Sequence, residues 1–229
     1  MTTSTMREPA RAIRLMVGIG CWIAVLVLYA VAVRTAPGRL VDDMAFQQLR
    51  DNLSTRSWIP DGTSLARSQL ALLVIGAGVV CATCSVNRCA PRTTTAALAL
   101  GCAPGLLADV LKSVLTRPSS PAEFVAHNSF PSGTVAAFAG VASALTFVAR
   151  SRLQQGIACA AWSGTGLIAL IVIRAHWHRP SDVLGALLLA LGALEVASGM
   201  TRGARPVRVR PPAAATTADL ENSGPVCQR

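Results

Sequence analysis

The sequence of 229 residues is poor in charged and aromatic side chains, which make up 14% and 4% of it. Water-soluble domains carry about 25% charged residues, so this deficit argues against a soluble domain before any motif is read. Histidine and lysine are scarcer still, with three histidines and a single lysine, Lys112. The few residues of these two types are therefore the first candidates for a functional site.

Apolar residues make up 52% of the chain and are gathered in long runs. Each run has about 18 to 20 residues, the length that crosses a bilayer as a helix. This pattern predicts an all-α membrane protein, a bundle of six transmembrane helices spanning residues 15–200, between a 1–14 N-terminal tail and a disordered, basic 201–229 tail. The runs are 15–33, 69–86, 94–111, 132–149, 156–173 and 182–200.

The arginines lie in small groups between the apolar runs, which indicates loops and tails of a membrane protein rather than a nucleic-acid-binding surface. With the N-terminus inside the cell, most Lys and Arg residues fall on the cytoplasmic side. We therefore expect a multi-pass cell-membrane protein with both termini cytoplasmic. In the first outer loop, about 34–67, the stretch VDDMAFQQL predicts a short amphipathic helix at the membrane surface.

Cysteines suggest a metal site only superficially. Cys81 and Cys84 have the spacing of a ligand pair, and Cys89 follows. A zinc site would usually offer a second pair or a nearby histidine, and both are missing here. We interpret these cysteines as small packing residues in a helix and expect neither a metal nor another cofactor.

All three histidines fall in two predicted outer segments, 113–131 and 174–181, which also hold or adjoin several cations. Lys112, Arg117 and Arg174 have the chemistry to hold a phosphate by charge-assisted hydrogen bonds. Ionisable groups at the ends of membrane spans are functional candidates by default. The alternative for Lys112 is a snorkelling side chain that pairs with Asp109 one turn earlier.

Two predicted helix starts face the same side. In NSFPSG, Ser132 is a natural N-cap and Gly133 allows close approach of a ligand to the backbone, so the free N–H groups suit an anion. In HRPSDVLG, His178 and Asp182 are four residues apart, which brings the carboxylate within reach of the ring. Such a carboxylate orients a histidine to act as a nucleophile. A satisfied helix cap is the plainer interpretation of this pair.

The stretches LKSVLTRP, NSFPSG and HRPSDVLG together resemble the three motifs of the type 2 phosphatidic acid phosphatase superfamily, which includes vanadium-dependent haloperoxidases. The resemblance implies a six-helix membrane protein that removes phosphate from lipid phosphates or polyprenyl diphosphates without a metal, on the outer face of the membrane. It also implies roles for individual residues. Lys112, Arg117 and the backbone of Ser132 and Gly133 would bind phosphate, and His178 would form a phosphohistidine with Asp182 orienting it.

The sequence departs from these motifs at three points. The first motif is shorter than its commonest form, with four residues between Lys112 and Arg117. The second motif carries a histidine after its glycine, which acts as the general acid; here Thr134 stands in its place, or a short deletion has removed the histidine. The third motif carries an arginine six residues before its nucleophile, where this chain has Val172, with Arg174 two residues later. Loss of a general acid costs roughly 10²–10⁴-fold in rate. His127 and His176 are the candidates to supply the proton instead, although interface or loop positions suit them as well.

Three functions are compatible with these residues. The first is a membrane phosphatase acting on a lipid-linked phosphate or diphosphate. The second is a catalytically impaired relative that binds phospholipid headgroups, and the third is a small transporter. The transporter is disfavoured because the polar groups gather at one membrane face rather than at the midplane. Arg179 is as compatible with a solvated loop as with a site, and the oligomeric state is left open.

Overall fold

The computed structural model describes residues 7–52, 62–117, 129–175 and 177–201, and the described residues form α-helices and no strand. The first helix continues into one turn of π-helix at Tyr29–Val33. The α-helices are α1 (Arg7–Leu28), α2 (Ala36–Asn52), α3 (Gly62–Val86), α4 (Pro91–Val114), α5 (Gly133–Val148), α6 (Arg152–Arg174) and α7 (Pro180–Thr201). The all-helical class predicted from the apolar runs is confirmed. The tail 202–229 and the candidate residues His127 and His176 lie outside the described residues.

The helices identify a multi-pass membrane protein, but the predicted count of six spans is not confirmed. Four helices of the described chain are long and apolar enough to cross a membrane: Glu8–Val33, Pro91–Val114, Arg152–Arg174 and Pro180–Thr201. The apolar helices Leu73–Val86 and Gly133–Val148 are shorter. The amphipathic segment around Asp42 does form a helix, α2, which is a further helix beside the six predicted spans.

Helix α5 lies at the centre of the bundle, where it packs against α3, α4, α6 and α7. Its sequence, GTVAAFAGVASALTFV, is apolar on every side, as expected of a helix surrounded by others. Small residues let neighbouring backbones approach closely, which is how helices pack in membranes. The closest approach is at Gly140, where a Cβ would lie 2.7 Å from the carbonyl oxygen of Gly101 on α4.

We expect the Gly140→Ala substitution to destabilise the bundle, because the added methyl group meets backbone atoms that cannot rotate away. Overpacking of this kind costs about 1–3 kcal/mol. Gly156→Ala is the matched control, since a Cβ at Gly156 has no atom within 4 Å. Thermal unfolding in detergent measures the difference. Equal unfolding temperatures for the two variants would mean that α4 and α5 separate easily.

Helices α1 and α7 form another extensively packed pair. Arg14 of α1 pairs with Glu195 of α7 at 3.1 Å, and the Trp22 indole nitrogen donates to the Leu189 carbonyl oxygen at 3.3 Å. The charges satisfy each other inside the helix pair.

The end of α4 and the starts of α5 and α7 meet at one end of the bundle. The Ser132 N–H before α5 donates to the Asp182 carbonyl oxygen in α7 at 3.0 Å. The Tyr29 hydroxyl donates to the Thr116 carbonyl oxygen after α4 at 2.6 Å. The ring of Tyr29 packs against that of Phe130, with centroids 5.6 Å apart. These contacts bring the three sequence motifs together.

Candidate active site

The His178–Asp182 pair forms as the four-residue spacing predicts. His178 lies just before α7, and Asp182 lies in its first turn. The His178 Nδ1 atom is 3.5 Å from Asp182 Oδ2, and the Asp182 side chain is completely buried. This separation is long for a hydrogen bond, and catalytic contacts are often long before substrate binds. With Nδ1 facing the carboxylate, Nε2 is the ring nitrogen left for chemistry.

Asp182 is held by several groups besides His178. Its Oδ2 atom accepts a hydrogen bond from the Ser129 hydroxyl at 2.6 Å and from the Arg179 backbone N–H at 2.9 Å. Its Oδ1 atom lies 3.6 Å from an Arg117 nitrogen. A carboxylate at the start of a helix also interacts favourably with the helix dipole. These contacts fix the Asp182 side chain against the imidazole of His178.

Arg117 is the hub of a buried polar network. Its Nη1 atom donates to the Ser129 hydroxyl at 3.2 Å, and its Nη2 atom contacts Asp42 at 3.3 Å and the Ser181 hydroxyl at 3.4 Å. Only 7% of the side chain is exposed. Its Nε atom is buried and has no hydrogen-bond partner among the described residues. Arg117 therefore links the segment after α4 to α2 and to the start of α7.

Asp42 enters this network from α2, which the sequence motifs do not include. Its carboxylate accepts hydrogen bonds from the Ser181 backbone N–H at 3.0 Å and the Ser181 hydroxyl at 2.6 Å. Burial raises the pKa of Asp42, while the bonds from Ser181 and the charge of Arg117 oppose that rise. Asp42 thus satisfies a backbone donor in the first turn of α7 that an external anion would otherwise take.

The start of α5 is the second helix N-terminus in this site. Ser132 is its N-cap, and the Ser132 hydroxyl accepts a hydrogen bond from the Val135 N–H at 3.4 Å. Lys112 lies in the last turn of α4, and its side chain reaches this helix end. A Cβ placed on Gly133 would lie 2.9 Å from the Lys112 Nζ atom. Lys112 also pairs with the exposed Asp109 at 3.3 Å. Helix start and ammonium group together suit a phosphate.

We expect the Gly133→Ala substitution to weaken phosphate binding while leaving the fold intact. The new Cβ meets Lys112 Nζ and Asp109 Oδ1, both at 2.9 Å, and both are ends of flexible side chains that can move aside. Displacing Lys112 removes a charge-assisted bond of about 1.5–3 kcal/mol, which raises KM roughly ten- to a hundredfold. Steady-state kinetics measures KM, with Gly164→Ala as control because its Cβ meets no atom within 4 Å. An unchanged KM would mean that Lys112 does not contact the bound phosphate.

The departures from the motifs have plain structural positions. Thr134 lies buried in the first turn of α5, where the second motif would carry its histidine. Val172 is completely buried among core residues, and its carbonyl oxygen accepts from the N–H groups of Trp177 and His178. Arg174 ends α6 and is half-buried. The two proposed proton donors, His127 and His176, lie outside the described residues.

Sequence reasoning missed four residues of this network and undervalued a fifth. Asp42, Asp43, Ser129 and Ser181 were not recognised, and the solvated-loop interpretation of Arg179 is wrong. Arg179 is only 5% exposed, and its Nη2 atom lies 3.1 Å from Asp43 Oδ1. The position of Ser129 two residues before Pro131 and of Ser181 beside Asp182 was a usable signal. Asp42 and Asp43 in α2 carried no such signal, because the residues that they contact are distant in sequence.

A metal centre has no evident ligand set in the part of the chain that the structure describes. No group of three or more His, Cys, Asp or Glu side chains that could hold a metal ion occurs there. The polar network described above pairs carboxylates with guanidinium groups and hydroxyls.

Comparisons with known proteins agree with this arrangement. No curated protein matches the sequence significantly. A solved structure similar to this one is the "first transmembrane PAP2 type phosphatidylglycerolphosphate phosphatase from Bacillus subtilis", with a TM-score of 0.59 and 19% identity. The match covers 83% of this chain and 98% of that one. At this identity the likeness concerns the fold alone.

A family model gives the assignment. The model of the PAP2 superfamily matches residues 62–204, well over half of the chain. This region contains Lys112, Arg117, Ser132, His178 and Asp182, so all three motifs lie inside it, whereas α2 lies before it. The chain belongs to the PAP2 superfamily.

Proposed function

We propose that this protein is an integral membrane phosphatase that hydrolyses a lipid-linked phosphate or diphosphate through a phosphohistidine intermediate. The observation that carries the proposal is the buried Asp182, which lies 3.5 Å from His178 Nδ1 and is held by Ser129 and Arg179. A helix cap alone requires no histidine in that position. Membership of the PAP2 superfamily supports the same reaction class.

In this proposal the cationic side chains and the start of α5 bind the phosphate group. Lys112 and the first N–H groups of α5, beginning at Ser132 and Gly133, offer charge and donors at one place. We assign Arg117 and Arg174 to phosphate binding as well, Arg117 from the motif that contains it and Arg174 from its charge at the end of α6. Phosphoryl transfer is catalysed mainly by positioning and by stabilising charge on the equatorial oxygens. The substrate phosphate is therefore expected to lie between α5 and His178.

The chemistry proceeds in two steps. His178 Nε2 attacks phosphorus in line with the leaving oxygen, so an N–P bond forms while the P–O bond to the lipid breaks. Asp182 stabilises the imidazolium, and the leaving oxygen takes up a proton. Water then attacks phosphorus, releases inorganic phosphate and restores the histidine. We propose His127 and His176 as the donors of this proton, because the hydroxyl of Thr134 is not acidic enough to donate it near neutral pH.

A headgroup-binding protein without activity is the weaker candidate. Binding alone would need the cations and the helix start, but not a histidine oriented by a buried carboxylate. The polar network around Asp182 is costly to bury unless its members are satisfied. Its retention next to an imidazole favours catalysis.

We further propose a six-span topology with both termini in the cytoplasm and the site at the outer face. In addition to the four long helices, α3 and α5 would complete the six spans. The excess of arginine in the short segments near 7–14, 88–92 and 150–152 supports this orientation. Membrane lipids would then deliver the substrate sideways to the outer end of the bundle.

The test is phosphate release by purified protein in detergent, with and without a chelator. Phosphatidic acid, phosphatidylglycerol phosphate and a polyprenyl diphosphate are the substrates, and the His178→Ala variant is the control. We expect release from at least one substrate that persists with chelator and disappears in the variant. Equal background release by both proteins, with the fold intact, would favour the headgroup-binding candidate.

A further inference from the structure

Arg179 is a buried cation whose contacts leave one donor unused. Its side chain follows His178 directly and is 6% exposed. The Nη2 atom pairs with Asp43 Oδ1 at 3.1 Å, whereas Nη1 is buried without a hydrogen-bond partner among the described residues. Burying a charged donor without a partner is unfavourable, so the unpartnered Nη1 atom of Arg179 needs an explanation.

The acidic pair of α2, Asp42 and Asp43, holds two arginines at once. Asp42 contacts Arg117 at 3.3 Å, and Asp43 contacts Arg179 at 3.1 Å. Neighbouring Cα atoms are about 3.8 Å apart, so adjacent residues of one helix hold both guanidinium groups. Each guanidinium keeps one buried nitrogen without a partner in the described chain, Nε of Arg117 and Nη1 of Arg179.

Both arginines also contact Asp182, the carboxylate that faces the proposed nucleophile. The Arg117 side chain lies 3.6 Å from Asp182 Oδ1, and the Arg179 backbone donates to Asp182 Oδ2. Asp182 in turn faces His178. Two guanidinium groups with donors left over, next to a histidine–aspartate pair, suit a group with several acceptor oxygens. A phosphoryl group has that chemistry.

We infer that Arg179 is a second phosphate-binding arginine of this site and that Asp43 of α2 positions it. The inference rests on the proposed phosphatase function. Position 172 cannot take this role, because Val172 is completely buried in the apolar core. The α2 helix, which precedes the region matched by the family model, becomes part of the binding site through the contact of Asp43 with Arg179.

Asp42 does not compete for the phosphate in this arrangement. Its carboxylate is engaged by the Ser181 N–H and hydroxyl at the start of α7. Lys112 lies at the start of α5, where a Cβ on Gly133 would be 2.9 Å from its Nζ atom, and this helix end belongs to the same proposed phosphate site. The α2 helix therefore acts as a positioning element that aligns the arginines and leaves the α5 end to the substrate.

The experiment measures KM and kcat for the lipid phosphate and, separately, the affinity for inorganic phosphate by calorimetry. The variants are Arg179→Gln, Arg179→Lys and Asp43→Asn. Arg150→Gln is the matched control, because Arg150 lies in the α5–α6 turn at the opposite end of α5, where its guanidinium donates to the Asn87 carbonyl oxygen at 2.9 Å. Thermal unfolding of each variant shows whether the bundle is intact.

We expect Arg179→Gln to weaken inorganic phosphate binding at least tenfold and to raise KM. Arg179→Lys keeps the charge but loses the forked geometry, so it restores part of the affinity. Asp43→Asn should have a smaller effect in the same direction, since it removes only the positioning contact. Arg150→Gln should match the wild type. If Arg179→Gln does not fold, the double variant R179Q/D43N removes both partners of the ion pair and takes its place.

Two results separate this inference from the proposed function. If the wild-type protein hydrolyses a lipid phosphate and the Arg179 variants bind inorganic phosphate as tightly as it does, the proposed role of Arg179 is wrong. That result leaves the proposed phosphatase function standing. Wild-type protein that releases no phosphate from any lipid overturns the proposed function. In that case a loss of phosphate affinity in Arg179→Gln still supports an anion site at Arg179, and unchanged affinity refutes it.

Discussion

The His178→Ala variant is expected to release phosphate from lipid substrates at the background rate. Loss of the nucleophile removes the only route to the covalent intermediate, and such losses reach about 10⁶-fold in kcat. The variant should still fold, because the imidazole lies at the loop before α7 and makes no hydrogen bond with Nδ1 among the described residues. Phosphate release and thermal unfolding, measured on the same detergent preparation, test both statements.

The intermediate gives this prediction a second, independent readout. Phosphate-labelled substrate, quenched rapidly in alkali, should leave label on the wild-type protein because phosphohistidine survives base but not acid. Peptide mapping should find the label at His178. Activity that survives in His178→Ala, or label on another side chain, would assign the nucleophile elsewhere.

The Asp182→Asn variant is expected to lose both activity and stability. The amide keeps the size of the side chain but removes the charge opposite Arg117, and it places a donor where the Ser129 hydroxyl and Arg179 N–H need acceptors. Breaking a buried charged network by removing one partner costs about 3–5 kcal/mol. In serine proteases, where an aspartate orients a general-base histidine, the same substitution lowers kcat by about 10⁴-fold.

Glu195→Gln is the matched control for this variant. It removes a carboxylate from the ion pair with Arg14, which joins α1 to α7 away from the site. We therefore expect lower thermal stability with an unchanged kcat. If Asp182→Asn also keeps its kcat, then Asp182 serves the start of α7 as a cap and does not orient His178.

The helices could largely be predicted from the sequence because lipid imposes length and polarity on each span. The run 94–111 corresponds to Pro91–Val114, and the run 156–173 corresponds to Arg152–Arg174. The helices extend past the runs since a helix continues into the polar headgroup region, where apolar character is no longer needed. The start of α6 has its own local signal, a capping box between Ser151 and Gln154.

The six-span count could not be verified by the same reasoning. Apolar length indicates that a segment is able to cross a membrane, but α5 has only 16 residues and lies enclosed by other helices. A buried core helix and a membrane span are both apolar on all sides. Their difference depends on the position of the bilayer rather than on the composition of the segment.

The sequence by itself determined the local parts of the site. His178 and Asp182 face each other because four residues make about one helical turn, and Ser132 caps α5 because its hydroxyl is three residues from the Val135 N–H. Contacts at this range depend on backbone geometry alone. The candidate phosphate-binding end of α5 was predictable for the same reason.

Only the tertiary structure decided which charges surround that local core. Asp42 and Arg117 are 75 residues apart, and Asp42 and Ser181 are 139 apart, so no spacing rule joins them. Arg179 was indistinguishable in the sequence from a solvated loop residue until α2 placed Asp43 against it. Burial of an arginine requires a partner carboxylate, and that partner comes from a helix whose approach is fixed by the packing of the whole bundle.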